Sequence, residues 1–186
     1  MKRVLILMAM FAVLVASPSF GAVELVVNGD FEAGSTGWTT SGGFTGISTG
    51  QNHTPSGQYS AYFGAVGGSG FVYQTQDLAT SADTTYELKF WLKSDGLTPN
   101  YFRASFDGAY VFNQTISAQG WTLYSFHVTA TSDYTTLAFS GRNDPGFHYL
   151  DDVSVKDVAA VPEPSTLLLL GSGLLGIVAI GRKKII

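Results

Sequence analysis

No cysteine occurs among the 186 residues, which removes disulfides, thiolate metal sites and cysteine nucleophiles at once. Charge is scarce too: Asp, Glu, Lys and Arg make up 13% of the chain, against roughly a quarter in ordinary soluble domains. Of the 10 basic residues, five crowd the termini (Lys2, Arg3, Arg182, Lys183, Lys184), leaving Lys89, Lys93, Arg103, Arg142 and Lys156 for residues 22–161. All 14 acidic residues but Glu163 lie in that middle, which therefore carries a net charge of −8. So acidic a body is a poor ligand for nucleic acid, which demands a basic patch. No 12-residue window of the middle keeps the apolar stripe of a helix. Catalytic constellations are missing as well. His53, His127 and His148 lack metal-ligand spacing, and Ser69 in Gly67-Gly68-Ser69-Gly70 has no strand–turn–helix elbow around it. That glycine stretch has no following Lys or helix to make a phosphate loop. No two of Glu87, Asp95, Asp107 and Asp133 are marked as the carboxylate pair that glycoside hydrolysis needs. The chain is read as non-catalytic.

Long apolar runs are present, but only at the ends. After Met1-Lys2-Arg3, residues Val4 to Ala16 are nearly all apolar, and Ser17-Pro18-Ser19-Phe20-Gly21 follows. A basic start, a short apolar core and small residues are the parts of a secretory signal peptide, predicted over 1–21. Cleavage falls before Ala22 or, alternatively, after Ser17; an uncleaved anchor is the competing reading, although the run is short of the about 20 residues a span needs. The other end reads Val161-Pro162-Glu163-Pro164, then an apolar stretch over 167–181, then Arg182-Lys183-Lys184. The stretch can cross a bilayer as a helix, with the basic cluster on the cytoplasmic side. These three parts, in this order over 161–186, resemble the PEP-CTERM sorting signal of Gram-negative bacteria. The resemblance implies processing by an exosortase near Pro162 to Pro164. It also implies a transient membrane anchor and delivery to the cell surface or extracellular matrix, often beside exopolysaccharide. A plain tail anchor has the same hydropathy and lacks only the Pro-Glu-Pro box.

Between the ends, aromatic and β-branched residues alternate with polar ones, punctuated by Gly, Ser, Thr, Asn and Asp. Strands are predicted near 23–27, 43–49, 59–65, 70–76, 85–93, 101–107, 109–114, 121–129, 135–141 and 148–156, as in an all-β sandwich or jelly roll over 22–158. In Thr85 to Lys93, Tyr86, Leu88, Phe90 and Leu92 share one face and are assigned to the core. Trp91 then falls on the polar face between two lysines, costly for an indole unless something covers it. The same alternation turns Tyr101 and Arg103 away from Phe102, Ala104 and Phe106, and His127 away from Phe126 and Val128. Trp91, Tyr101, Arg103 and His127 are therefore expected to share one non-core face. Asp107-Gly108 reads as a hairpin turn.

Several stretches carry a family resemblance: Val27-Asn28-Gly29-Asp30-Phe31-Glu32 with Gly37-Trp38, Gly57-Gln58-Tyr59-Ser60-Ala61-Tyr62-Phe63-Gly64, Tyr86-Glu87-Leu88-Lys89-Phe90-Trp91, Gly120-Trp121, and Tyr149-Leu150-Asp151-Asp152-Val153. In order and spread they resemble galactose-binding-like jelly rolls, among them the carbohydrate-binding modules of xylanases and glucanases. On that resemblance Trp38 and Trp121 are packing residues. The resemblance also implies a structural calcium ion joining the first and last strands, held by Glu32 and Asp151, with main-chain carbonyls near Asp30 and over 56–58. By strand alternation Asp151 shares a face with Tyr149, Val153 and Val155, the core side, where a carboxylate needs a cation or a full set of hydrogen bonds. The competing reading is that Glu32 and Asp151 only accept backbone N–H bonds at strand ends. Two functions suit such a body. One is polysaccharide binding through exposed rings and polar groups, with Trp91, Tyr101, Arg103, His127, Glu87 and Gln114 as candidates. The other is a structural or adhesive role in a biofilm matrix without specific sugar binding.

Overall fold

A computed structural model describes residues 22–65 and 72–158; the predicted signal peptide, the apolar 167–181 segment and the Pro-Glu-Pro and basic motifs lie outside them. The described residues form ten strands and no helix. They are β1 (Thr39–Ser41), β2 (Thr45–Thr49), β3 (Tyr59–Gly64), β4 (Val72–Ala79), β5 (Thr85–Ser94), β6 (Asn100–Phe106), β7 (Ala109–Gln114), β8 (Gln119–Thr129), β9 (Tyr134–Asn143) and β10 (Phe147–Asp157). Two five-stranded antiparallel sheets result. The first runs β1-β4-β9-β6-β7 and the second β2-β3-β10-β5-β8, stacked as a jelly-roll sandwich.

Period-two alternation explains the stacking. Phe63 and Phe90 project from the second sheet, Phe102 and Phe139 from the first, and all four are fully buried. Phe63 meets Phe102 edge-on at 5.2 Å, and Phe90 meets Phe139 at 5.2 Å and 78°. Burying each ring contributes about 1.5–3 kcal/mol, and each well-angled pair adds about 0.5–1.5 kcal/mol. These contacts join the sheets in place of disulfides. At the β6–β7 hairpin, Asp107 (φ 53°) and Gly108 (φ 76°) both take left-handed backbone, the geometry a two-residue hairpin with right-twisted strands needs.

Three expectations change. Residues 23–27 are not a strand: only Glu24 bridges to Lys156, with Leu25 N–H donating to the Val155 carbonyl at 2.9 Å. The Val27 N–H instead donates to Gln76 Oε1 (2.7 Å), and its carbonyl accepts from Gln76 Nε2 (2.9 Å), so a side-chain amide takes the place of a neighbouring strand. Second, β1 was not visible in the pattern, because its three exposed residues, Thr39–Ser41, show no alternation. Third, the pairing of β10 with β5 slips between Asp151 and Ser154, where Asp152 adopts φ 47°. This bulge resets the alternation. Val153 and Val155 turn into the core, whereas Tyr149 and Asp151 pair with Lys93 and Trp91 on the outer face.

Candidate functional site

The expected single face divides in two. Glu87 and Trp91 lie on β5 and His127 on β8, all on the outer face of the second sheet; Tyr101 and Arg103 lie on β6, on the outer face of the first. Those faces look in opposite directions, because the chain crosses between sheets over 95–99. Alternation told inside from outside on each strand but carried no record of the sheet. Glu87 pairs across to His127, receives hydrogen bonds from Lys89 (2.8 Å) and Ser125 (3.0 Å), and is held below the usual carboxylate range chiefly by Lys89.

Trp91 is covered. The His53 ring lies on it at 3.7 Å and 17° from parallel, and Trp121 approaches His53 edge-on at 5.9 Å. Trp121 is thus an outer-face residue, whereas Trp38 is a core residue packed on Phe31 and Phe139, 5.2 and 6.1 Å away. The 50–58 loop that brings His53 here is tied to the bulge. His53 Nδ1 lies 2.6 Å from Asp152 Oδ2, Thr54 Oγ1 donates to Asp152 Oδ1 (2.6 Å), and His53 N–H donates to Asp151 Oδ2 (2.6 Å). Asp151 is therefore fully buried although it faces outward, and burial pushes its carboxyl up to about 6 against the hydrogen bonds from the backbone.

The outer face of the first sheet is different. Tyr73, Ser140, Arg103 and Asn113 form one cross-strand row over β4, β9, β6 and β7. Tyr101 and Arg142 form the next row on one side, and Ser105 and Tyr110 stand on the other. The Arg103 guanidinium sits 4.8 Å from the Tyr101 ring centre and 5.3 Å from that of Tyr110, and its Nε donates to Asn113 Oδ1 at 3.0 Å. Two rings and an amide thereby hold the cation in place. Tyr110 is 58% and Tyr73 42% exposed. Gln114 pairs with the core residue Phe102 and falls off this row. Two of the body's five cations, Arg103 and Arg142, stand here. Tyr73, Tyr110 and Asn113 join this face beyond the candidates the sequence offers; the Asp107-Gly108 turn is the signal that sets Tyr110 and Asn113 beside Arg103, whereas nothing in the pattern of β4 points Tyr73 here.

For calcium, Glu32 grips the C-terminal end of the 50–58 loop and Asp151 grips it at His53. Glu32 Oε1 accepts N–H bonds from Gln58 (2.8 Å) and Tyr59 (2.9 Å), and Asp30 Oδ1 accepts from Glu32 N–H at 3.3 Å. Ser60, on the strand beside Asp151, has a buried hydroxyl with no partner. The Ser60 hydroxyl and the Asp151 carboxylate are hard oxygens, the donor type that calcium accepts. Among the described residues no three His, Cys, Asp or Glu form a metal-holding group, so carbonyls and water would complete a shell of roughly six to eight oxygens.

The family model described as a carbohydrate binding domain matches residues 23–141. The chain belongs to the carbohydrate-binding domain family. A second model, the PEP-CTERM protein-sorting motif, matches residues 160–184 and indicates an exported, exosortase-sorted protein of Gram-negative bacteria. Among solved structures, this family member is similar to the CBM22-1 xylan-binding domain from Paenibacillus barcinonensis Xyn10C (17% identity, TM-score 0.57, 78% of this chain and 100% of that one). It is also similar to TmCBM61 in complex with β-1,4-galactotriose (16%, TM-score 0.53, 72% and 97%). A third is the CBM22-1–GH10 part of Clostridium thermocellum xylanase 10B complexed with xylohexaose (18%, TM-score 0.55, 74% and 29%). The chain spans under a third of that xylanase chain, and the matched part is the binding module. No curated protein matches the chain. At such identities the likeness shows the jelly-roll fold alone.

Proposed function

We propose that this carbohydrate-binding family member is a surface or extracellular-matrix protein that holds exopolysaccharide without cleaving it, through the outer face of the first sheet. The supporting observation is Arg103 clamped between Tyr101 and Tyr110. A sugar ring offers an apolar C–H face and a rim of hydroxyls. Exposed tyrosines meet the first, and the guanidinium fork with Asn113 meets the second. Trp91, Glu87 and His127 belong to the other face and take no part in this site. The calcium ion that the family resemblance implies, at Glu32 and Asp151, is proposed as a structural clip on the 50–58 loop.

The exported chain is proposed to be cut by the exosortase near Pro162 to Pro164, with the apolar segment as its temporary membrane anchor. The test is retention of the full chain, in mild detergent, on exopolysaccharide, together with titration by xylohexaose and β-1,4-galactotriose. Binding that Arg103→Ala abolishes supports the site. Retention on none of the three glycans leaves the structural matrix role as the function.

A further inference from the structure

The second sheet carries a groove that the site above does not use. It measures about 390 Å³, within the range of small-molecule sites. Its floor is aromatic. Tyr62 on β3 and Tyr149 on β10 are cross-strand partners, and Phe147 stands beside both. Phe147 meets Tyr62 at 84° with centres 5.6 Å apart, and Tyr149 at 43° and 6.3 Å. Phe44, 43% exposed, forms a wall, and Ser48 and Thr49 on β2 add hydroxyls. Two features narrow the ligand class. Among the described residues no charged side chain lines the groove, and Lys93, the cross-strand partner of Tyr149, is held by Gln51 (2.8 Å), so the lining itself offers no charge to a uronate, sulfate or phosphate. Four hydroxyls (Ser48, Thr49, Tyr62 and Tyr149) share the lining with the rings. A purely apolar guest would leave them without partners, whereas a neutral pyranose satisfies both ring faces and hydroxyls. The groove lies by β2, one of the two edge strands of its sheet, so a polymer can enter without a chain end.

We propose that this groove is a second binding site, for a neutral sugar unit, on the face opposite Arg103. The proposal rests on the reading of the chain as a glycan binder and adds bivalency: one domain joins two polysaccharide strands. Avidity from two sites then exceeds either affinity without new contacts.

The experiment is calorimetric titration of the full chain with xylohexaose and with β-1,4-galactotriose. It uses the wild type, Arg103→Ala, Tyr62→Ala, the groove-filling Ser48→Trp, and the combination of Arg103→Ala with Ser48→Trp. The expected stoichiometry is two for the wild type, one for each single variant and none for the combination. Ser48→Trp removes no ring, so a melting temperature near that of the wild type separates loss of the groove from loss of the fold. A stoichiometry of one that Ser48→Trp leaves unchanged and Arg103→Ala abolishes overturns the groove and spares the first face. A stoichiometry of one that only the groove variants abolish overturns the first face and spares the groove. Binding of neither oligosaccharide overturns both.

Discussion

The imidazole of His53 lies flat on the indole of Trp91, ring centres 3.7 Å apart and 17° from parallel. This contact answers the question that Trp91 poses on its strand, where an indole stands between Lys89 and Lys93 on an outward face. The loop bearing His53 folds over it and is locked by Asp152, whose own left-handed backbone marks the β10 bulge. A ring that looks like a ligand platform in the sequence is thus part of a local cover.

Replacing His53 by Ala is therefore expected to destabilise the fold by about 2 kcal/mol, from one stacked pair and one hydrogen bond to a carboxylate. Trp emission shifts to the red as water reaches Trp91. Thermal melting and fluorescence together check this; an unshifted spectrum would show that the cover is not His53.

On the other face, Arg103→Lys keeps the charge but loses the planar fork held by Tyr101, Tyr110 and Asn113. Glycan affinity is expected to fall at least tenfold, about 1.4 kcal/mol, in a polysaccharide retention assay. Trp91→Ala should do the reverse, lowering the melting temperature while leaving that affinity in place. If Trp91→Ala instead removes glycan binding at full folding, the assignment of the face is wrong.

Acid is expected to weaken the fold through His148. This ring is fully buried, with Nδ1 3.0 Å from Ser94 Oγ, Nε2 3.1 Å from the Arg142 carbonyl and its flank against Phe102. Burial drives its pKa from 6.5 down to about 4, although the Arg142 carbonyl and the charge of Asp95 oppose the shift. The native ring stays neutral where the unfolded ring takes a proton. Its contribution is whole above pH 6.5 and is lost as pH falls from 6.5 toward 4, about 3 kcal/mol across that window. Denaturant melts from pH 7 to 4 should show the slope in the wild type and a flatter one in His148→Asn. Equal slopes would reject it.

Chelation tests the clip at Glu32 and Asp151. A cation held at a hundredfold excess over its Kd stabilises by about 2.7 kcal/mol, so EDTA should lower the melting temperature by several degrees and calcium restore it. An unchanged melting temperature means that the carboxylates serve only the N–H groups of His53, Asp152, Gln58 and Tyr59.

The core was legible from the chain. Leu88, Phe90, Leu92, Phe102 and Phe106 are buried where alternation put them, because a strand's side chains must point to opposite sides whatever surrounds it. The hairpin at Asp107-Gly108 was legible too, since few residue pairs suit two left-handed positions in a row. Alternation fails where one residue is inserted, and the β10 bulge turned Asp151 outward against the pattern. The run 23–27 failed for a different reason: Leu25 makes one bond to the Val155 carbonyl, but the N–H groups of Val23, Val26 and Val27 go to the side chains of Asp157, Glu24 and Gln76, and side-chain partners leave no periodic trace.

The candidate site was half legible. Tyr101 and Arg103 stand on the proposed glycan face, but they were grouped with Trp91, Glu87 and His127 from the opposite face. Local order along the backbone decides which side of a strand a residue occupies, and that is a short-range matter of geometry. Which strands become neighbours depends on loops and long-range packing. Arg103 meets Tyr110 across a local hairpin, but the meeting of His53 with Trp91, and of Tyr62 with Phe147 and Tyr149, came into being only with that long-range packing.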